Sequence, residues 1–242
     1  MALWLYYITD RRLFPGDAAE QERQLLAKIG ECAAAGVDFV QLREKDLSTR
    51  TLEELAGKAM AALGSSGTQL MINSRTDVAL ASGAHGVHLP GNDLAASEVR
   101  AVFTRTTLAR AGTGSPVVHI PIIHAPSINQ PIIGVSAHSL AEVASAEAHG
   151  ADFAVFAPVF EKRGHWPGEK MGTANRDGLS QLRQICHRAE AAQPPMPVLA
   201  LGGITLENAQ QCIEAGAAGI AAIRLFQQNS VHTVVKTLRE RA

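Results

Sequence analysis

Cations and histidines follow several short apolar runs in this 242-residue sequence. The segment Gln41-Leu-Arg43-Glu-Lys45 continues one such run, and Ser136-Ala-His138 continues another. Arginine and lysine side chains that converge on one place bind phosphate or pyrophosphate through charge-assisted hydrogen bonds. A histidine changes its charge near neutral pH and can transfer a proton. These residues predict a site for a phosphorylated ligand, with His138 as the candidate acid or base.

A glycine pair, Gly202-Gly203, continues a further apolar run. Glycine lets the backbone approach a phosphate closely, and the N–H groups of such a turn attract anions. Other polar residues follow the remaining runs in the same way. The candidate ligand-binding residues are Gln41, Arg43, Lys45, Asn73, Ser136, Lys162, Arg163, Gly202, Gly203 and Arg224.

Each of these features also has a purely structural interpretation. A Gly-Gly pair is commonly only a turn, and Lys162-Arg163 fits a solvated surface equally well. Arg43 could pair with Glu44 or Asp46 instead of a ligand, although alternate residues of a strand share one side. His88 fits a structural role as well as a functional one.

One pattern recurs along the chain: a helical segment, a glycine, and then a short apolar run. It occurs within residues 34–43, 81–89, 148–156 and 214–223. Glycine tolerates the left-handed conformation that ends a helix. A short apolar run bounded in this way is typical of a parallel strand that is buried on both faces. The pattern therefore predicts alternating helices and parallel strands.

The remaining apolar runs extend this alternation to the whole chain. The predicted strands lie near residues 4–9, 38–43, 69–73, 85–89, 131–135, 152–157, 197–201 and 219–223. Helical character is clearest at residues 21–35, 52–63, 140–149 and 208–215. Eight such units favour a single (β/α)8 barrel over residues 1–242, with an open doubly wound sheet as the alternative. In a barrel, the site lies where the C-terminal ends of the strands meet.

Residues 104–130 do not fit the alternation. They contain Pro116, Pro121 and Pro126, and prolines at this spacing argue against a regular helix. We expect an irregular insertion between the fourth and fifth strands, either a distorted helix or an extra strand-like piece.

The composition narrows the class of partner. The chain has 22 basic and 23 acidic residues and a pI near 6.8, which argues against nucleic acid or a membrane surface as the main partner. The three cysteines have neither disulfide nor zinc spacing, so we expect a cytoplasmic protein. No apolar run approaches the ~20 residues that span a bilayer. A small-molecule substrate is expected, and a homo-oligomer is compatible with the sequence.

Several short stretches lie in a fixed order along the predicted strands. They are Gln41-Leu-Arg-Glu-Lys45, Ile72-Asn73, Gly86-Val-His-Leu89, Gly134-Val-Ser-Ala-His138, Pro158-Val-Phe160 and Gly202-Gly-Ile-Thr205. In this order they resemble the thiamin phosphate synthase/TenI family, from Tyr7 to Phe226. The resemblance implies a thiamin-biosynthesis enzyme built on a (β/α)8 barrel. The family's synthase joins hydroxymethylpyrimidine diphosphate to a thiazole phosphate, whereas its tautomerase, TenI, aromatises a thiazole carboxylate phosphate.

The resemblance also implies roles for individual residues. Ser136 matches a serine that contacts substrate, and Gly203 matches the glycine beside the thiazole phosphate. Asp93 matches one of the synthase's two Mg²⁺-binding aspartates. His138 stands where the tautomerase has its acid/base histidine, although synthases can also carry a histidine there. The residues that match the synthase's pyrimidine-diphosphate pocket are Gln41, Arg43, Lys45 and Asn73.

Three departures from the synthase pattern bear on the reaction. Ser74 replaces the other metal-binding aspartate, residues 161–170 lack the usual Thr-x-Thr-Lys, and Arg224 replaces a phosphate-contacting serine. Asp77 or Asn92 are candidates to compensate for the missing carboxylate.

These departures favour a TenI-like tautomerase, which needs a phosphate anchor, His138 as acid/base, and no metal or other cofactor. The alternative is the synthase, which would use Mg²⁺ at Asp93 and release pyrophosphate. A third possibility is a barrel that binds a phosphorylated ligand without catalysis, in a regulatory role.

Overall fold

A computed structural model describes residues 3–91, 93–111, 130–160, 177–191 and 195–241, with the backbone alone at 107–111. Eight strands and nine helices alternate through these ranges. The strands are β1 Trp4–Ile8, β2 Phe39–Leu42, β3 Gln69–Asn73, β4 Gly86–Leu89, β5 Ile132–Ala137, β6 Phe153–Phe156, β7 Val198–Ala200 and β8 Gly219–Ala222. The helices are α1 Ala18–Ala35, α2 Thr49–Leu63, α3 Thr76–Ser82, α4 Ala96–Ala111, α5 Leu140–Ala148, α6 Gly178–Glu190, α7 Ala209–Glu214, α8 Arg224–Gln227 and α9 Val231–Arg239. A short 3-10 helix, Arg11–Leu13, follows β1.

The strands form one closed parallel barrel in the order β1 to β8. The ring closes where Trp4 of β1 aligns with Gly219 of β8. The predicted (β/α)8 barrel is therefore confirmed, and the doubly wound alternative is wrong. All eight predicted strands lie within two residues of their observed bounds.

Side chains alternate between the inside and the outside of the barrel, as the two-residue repeat of a strand requires. On β1, Tyr6 and Ile8 join a cluster made by strands alone, which fills the interior. Their neighbours Leu5 and Tyr7 pack instead in the large cluster between the strands and the surrounding helices. On β2, Phe39 shares the interior cluster. Gln41 lies two positions after Phe39 on β2, and Asn73 lies two positions after the interior residue Met71 on β3. Both therefore face the mouth.

Glycines end several of the helices, as the recurring pattern predicts. Gly36 follows α1 at φ 77° and Gly83 follows α3 at φ 71°. Both angles belong to the left-handed region, which costs glycine little because it has no Cβ. The chain then turns directly into β2 and β4.

The predicted irregular segment at 104–130 is wrong in its first part. Residues 104–111 continue α4 to Ala111, because the first proline of the segment comes only at Pro116. The remainder, 112–129, lies outside the described residues. Within the described ranges, no helix has both the length and the apolar character that crossing a bilayer requires.

Candidate active site

Polar side chains meet at the C-terminal mouth of the barrel. Asn73 at the end of β3 aligns with His88 of β4, and His88 aligns with Gly134 of β5. Ser136 lies two residues beyond Gly134, so it faces the interior on the same side. Gln41 of β2 faces inward two positions after the interior residue Phe39. Residues from four consecutive strands thus border one mouth.

A chain of hydrogen bonds crosses the interior and joins three of these strands to β1. The amide Nε2 of Gln41 donates to the Tyr6 hydroxyl at 2.9 Å. The Tyr6 hydroxyl lies 3.2 Å from Nδ1 of His88, and Nε2 of His88 lies 2.8 Å from the Ser136 hydroxyl. Tyr6, Gln41 and His88 are buried, whereas Ser136 is partly exposed to the mouth. The chain therefore leads from the closed interior to the surface of the site.

His88 is neutral in this environment. Burial, together with the nearby charge of Arg43, lowers the pKa of its imidazole to about 3. Desolvation disfavours the charged imidazolium, and the side chains that His88 contacts through its ring nitrogens are the neutral hydroxyls of Tyr6 and Ser136. His88 consequently acts here as a hydrogen-bonding group and does not bring a positive charge to the mouth.

Two cations stand beside this polar chain. Arg43 follows β2 and is half-buried, and Lys45 is exposed two residues later. The charge of Arg43, followed by partial burial, lowers the pKa of Lys45. Such repulsion shows that the two positive charges lie close together, which favours an anion between or above them.

The acidic neighbours of these cations are engaged elsewhere, contrary to the ion-pair interpretation. Glu44 is buried, and its Oε2 lies 3.0 Å from Nη1 of Arg11. Asp46 binds Nη2 of the same arginine at 2.6 Å. Burial raises the pKa of the Glu44 carboxyl in spite of the hydrogen bonds from Thr9 and Arg11 that lower it.

His138 lies exposed just beyond the end of β5. Its Nδ1 is 2.7 Å from the carbonyl oxygen of Ala157, which can only accept a hydrogen bond. Nδ1 therefore carries the proton in the neutral ring, and Nε2 keeps a lone pair. The Glu142 carboxylate accepts the backbone N–H of His138 at 2.7 Å and holds the start of α5 against it. This arrangement suits a base that accepts a proton at Nε2.

The loop after β7 contains the predicted glycine pair. Gly202 and Gly203 have φ values of 104° and 62°, so both adopt conformations that favour glycine. A side chain at Gly202 would press on the backbone of Pro158, 2.8 Å from the added Cβ. Asn208 holds the following turn, because its side chain accepts from Thr205 N at 2.8 Å and donates to Gly203 O at 3.0 Å.

Other predicted residues lie at the same end of the barrel or outside the described residues. Arg224 is exposed at the start of α8. It comes directly after Ile223, which follows β8 and packs against the interior cluster. Lys162 and Arg163 lie outside the described residues, as does Asn92.

The candidate metal ligands are sparse. Asp93 is exposed, and its Oδ1 accepts the N–H of Leu94 at 2.8 Å. Ser74 has a φ of 61°, and its hydroxyl accepts from the Asn73 amide at 3.1 Å. The carboxylate of Asp77 is paired with Arg75, whose Nε lies 2.9 Å from its Oδ1. Among the described residues, no three carboxylate, histidine or cysteine side chains cluster as a metal site.

Sequence reasoning missed Tyr6 and left the role of His88 undecided. Tyr6 stands in an apolar first strand and offers no motif of its own. The available signal is its position in the two-residue repeat of the strand. Tyr6 faces the same side as Ile8, and a phenol on an interior face needs a polar partner. The role of Glu44 was likewise hidden, since its partner Arg11 lies 33 residues away.

Comparison with known proteins agrees with this geometry. A family model described as "Thiamine monophosphate synthase" matches residues 5–112 and 120–226. A putative thiamine-phosphate synthase of Geobacter sulfurreducens is 37% identical over 219 residues, which cover 90% of this chain and 84% of that protein. A thiamine-phosphate synthase of Methanoculleus marisnigri is 32% identical over 238 residues, covering 98% of this chain and 94% of that protein.

A solved structure gives the same answer for the fold. The thiamine phosphate pyrophosphorylase from Pyrococcus furiosus superposes with a TM-score of 0.71 at 28% sequence identity, covering 99% of this chain and 95% of that chain. With the strand-end residues and the interior polar chain at one mouth, these matches establish the relationship. The chain belongs to the thiamine monophosphate synthase family and is an enzyme of thiamin biosynthesis.

Proposed function

We propose that this protein catalyses the synthase reaction, in which hydroxymethylpyrimidine diphosphate and a thiazole phosphate are joined and pyrophosphate is released. The relatives at 32–37% identity are named thiamine-phosphate synthases, which supports the synthase over the tautomerase that the sequence alone favours. The observation that carries the proposal is the meeting of Gln41, Arg43, Asn73 and Ser136 at one mouth. In such a site a heterocycle enters the polar interior and its phosphates meet the cations.

In this proposal Arg43 and Lys45 bind the diphosphate. They stabilise the negative charge that grows on the pyrophosphate as its bond to the pyrimidine methylene carbon breaks. The thiazole nitrogen then attacks the carbon cation that is left. The mutual repulsion of Arg43 and Lys45 in the free protein supports this role, because a bound anion relieves it.

The pyrimidine ring occupies the mouth beside Gln41, Asn73 and Ser136. Below it the barrel is closed by Tyr6 and Phe153, both fully buried. Bulk water is thus kept from the inner side of a reactive cation, which would otherwise be hydrolysed. Gly203 and its neighbouring turn remain for the phosphate of the thiazole.

The donor set fits Mg²⁺, although it supplies a single carboxylate. Mg²⁺ prefers oxygen ligands and is commonly held by one or two carboxylates together with substrate phosphates. Asp93 would supply the carboxylate and Ser74 a hydroxyl, both on loops that follow adjacent strands. Mg²⁺ bound there with the diphosphate would neutralise charge on the leaving pyrophosphate.

The test measures pyrophosphate release by the purified full chain. With hydroxymethylpyrimidine diphosphate, thiazole phosphate and Mg²⁺ together, we expect turnover, and chelation of the metal should abolish it. Arg43→Ala should raise KM for the diphosphate by about tenfold or more, since a charge-assisted hydrogen bond contributes roughly 1.5–3 kcal/mol. Arg50→Ala is the matched control, because Arg50 pairs with Glu54 on the exposed face of α2. Absence of pyrophosphate release with both substrates present would refute the proposal.

A second candidate function, the tautomerase, is favoured by the environment of His138. The Ala157 carbonyl leaves Nε2 of His138 as the proton acceptor, and Ser74 removes one metal carboxylate. The tautomerase should turn over the thiazole carboxylate phosphate alone in the presence of chelator. His138→Ala should abolish that turnover, while His138→Ala in a synthase should leave the metal dependence of pyrophosphate release intact. A protein that binds the phosphate and does neither is the non-catalytic alternative.

A further inference from the structure

The interior hydrogen-bond chain has a direction that its atoms determine. The amide nitrogen of Gln41 has no lone pair to share, so it is the donor to the Tyr6 oxygen. Burial raises the pKa of Tyr6 well above its usual value, so the phenol keeps its own proton. That proton needs an acceptor, and Nδ1 of His88 lies 3.2 Å away. Tyr6 therefore accepts from Gln41 and donates to His88.

The direction continues through the imidazole to the mouth. A neutral histidine whose Nδ1 accepts a hydrogen bond carries its single proton on Nε2. Nε2 of His88 is 2.8 Å from the Ser136 oxygen, so His88 is the donor and Ser136 the acceptor in that bond. The Ser136 hydroxyl proton is then left over. Because Ser136 is partly exposed to the mouth, this proton is available to a ligand there.

We propose that Tyr6 and His88 are positioning residues that make Ser136 a hydrogen-bond donor to the substrate, so that the site selects a heterocycle with an acceptor atom there. Arg43 follows Gln41 beyond the end of β2, so the chain begins deeper in the barrel than this cation, and we place the ring of the substrate, and not its phosphates, beside Ser136. A ring nitrogen is the acceptor that an aromatic heterocycle offers at that depth. This assignment of the ring nitrogen rests on the proposed function, whereas the direction of the chain does not.

The opposite direction is a definite alternative with a different specificity. If the Gln41 amide presented its oxygen to Tyr6, the phenol would donate to Gln41 and Nδ1 of His88 would donate to the phenol. Nε2 would then accept the proton of Ser136, and the serine would offer only lone pairs to a ligand. The two chains differ in one observable, the nitrogen of His88 that carries the proton.

The first test is nuclear magnetic resonance of the full chain with ¹⁵N-labelled histidine and no substrate. Two-bond correlations between ring nitrogens and ring protons distinguish the tautomers, and His88→Gln identifies the signal by its loss. We expect His88 to be the Nε2–H tautomer at neutral pH. The Nδ1–H tautomer, or an imidazolium, would overturn the proposal.

Two variants show which neighbour sets the direction. Tyr6→Phe keeps the ring but removes the donor to Nδ1, so the share of the Nε2–H tautomer should fall. Ser136→Ala removes the acceptor at the other end and should leave the Nε2–H tautomer in place, because Tyr6 still donates. An unchanged tautomer in Tyr6→Phe, or a switch in Ser136→Ala, would show that the direction is not set by Tyr6.

The second test uses kinetics to separate positioning from mere packing. His88→Gln keeps an N–H donor near the position of Nε2, whereas His88→Leu keeps the volume without a donor. Relative to wild type, His88→Leu should raise KM for hydroxymethylpyrimidine diphosphate on the order of tenfold, the worth of one neutral hydrogen bond, with His88→Gln within about threefold. A wild-type KM in His88→Leu would contradict the role. If the wild type released no pyrophosphate, the proposed function would fail while the tautomer measurement still decided the direction of the chain.

Discussion

Two histidines at this mouth carry their protons on opposite nitrogens. Nδ1 of His138 donates to a carbonyl, so its Nε2 is free to accept a proton. Nδ1 of His88 accepts from Tyr6, so its Nε2 donates to Ser136. The same side chain thus serves as an exposed base in one position and as a buried donor in the other. The neighbouring oxygen atom, not the histidine itself, decides between these roles.

The buried imidazole predicts a loss of stability in acid. The pKa of His88 is about 3 in the folded protein against 6.5 in the unfolded chain. Between these values the unfolded state binds a proton that the folded state excludes, so the free energy of unfolding falls as the pH falls below about 6.5. One pKa unit corresponds to about 1.4 kcal/mol, so the loss attributable to His88 should reach about 3 kcal/mol by roughly pH 4.5, two pH units below the unfolded pKa.

Urea unfolding at several pH values measures this effect. Burial also lowers the pKa of His85, so the wild type alone does not isolate His88. The difference between wild type and His88→Gln should shrink from pH 7 to pH 4.5, because the variant no longer has this titrating group. His149→Gln, at an exposed histidine on the end of α5, serves as the control and should keep the wild-type dependence. Parallel curves for wild type and His88→Gln would disprove the assignment.

The backbone conformation of Ser74 leads to a prediction about metal binding. Its φ of 61° lies in the left-handed region, where aspartate and asparagine are enriched among non-glycine residues. Ser74→Asp should therefore be accommodated by the backbone while adding a carboxylate next to the loop of Asp93. An added unit charge about 4 Å from a divalent cation contributes about 2 kcal/mol even at the dielectric constant of water.

The expected result for Ser74→Asp is a fall in the Mg²⁺ concentration needed for half-maximal pyrophosphate release, by about tenfold or more. Ser74→Asn is the matched control, since asparagine tolerates the same backbone angle without a charge. Equal metal dependence in both variants would mean that Ser74 does not border the metal site.

The sequence indicates polar residues at the strand ends better than the polar residue inside the barrel. Gln41, Arg43 and Ser136 stand out because polar residues at the end of an apolar strand are expected at the mouth of a barrel. Tyr6 does not stand out, because a tyrosine in an apolar strand is common and its partners lie 35 and 82 residues away. Such partners become neighbours only when the barrel closes, and no local spacing encodes them.

At the scale of elements, the loop after β1 holds the loop after β2. Thr9 donates to Glu44 at 2.6 Å and accepts the backbone N–H of Arg43 at 3.0 Å. Arg11 adds its own backbone N–H and its guanidinium to the same carboxylate. Glu44 therefore points towards β1, and its sequence neighbours Arg43 and Lys45 remain available at the mouth. This clamp fixes the backbone of the loop that carries Arg43 and Lys45.

Arg11→Met should therefore loosen the clamp. It leaves the Glu44 carboxylate buried without its positive partner, which costs about 3–5 kcal/mol in proteins. Urea unfolding should show that loss, and KM for the diphosphate substrate should rise because Arg43 is no longer held. In Arg50→Ala, which breaks the exposed pair with Glu54, stability should change by less than about 1 kcal/mol. Arg11→Met with wild-type stability would show that Glu44 is satisfied without Arg11.

Element boundaries follow closely from the sequence where glycines mark them. The glycine at the end of α1 and the apolar run at β2 bracket that connection within a residue of the observed positions. The predicted irregular segment begins too early, at residue 104, because prolines beyond Ala111 do not disrupt the helix that precedes them. The short helices Arg11–Leu13 and α8 have no apolar repeat, since each is less than two turns long. They form within the segments that follow β1 and β8.

At the scale of the whole molecule, the site and the core share one interior. Trp4, Tyr6, Phe39 and Phe153 fill the lower barrel with ring centroids 5.3–6.1 Å apart. Most of these pairs meet edge to face, an arrangement that the charge distribution of aromatic rings favours. His88 packs on the same rings, 6.3 Å from Phe153. The polar chain therefore rests on aromatic packing, and a disturbance of one should reach the other.

Gly134→Ala tests this coupling between packing and the site. A Cβ at Gly134 would overlap the Phe153 ring and stand 3.0 Å from Nδ1 of His88, in a strand buried on both sides. Overpacking of this kind costs about 1–3 kcal/mol. The displaced ring should also move His88, so KM for the pyrimidine substrate should rise together with the loss of stability in urea. Gly57→Ala is the control, because a Cβ there meets no atom within 4 Å and α2 gains a better helix former. If Gly134→Ala lost stability but kept the KM and the His88 tautomer of the wild type, the core and the site would be independent, and the shared interior would have no functional consequence.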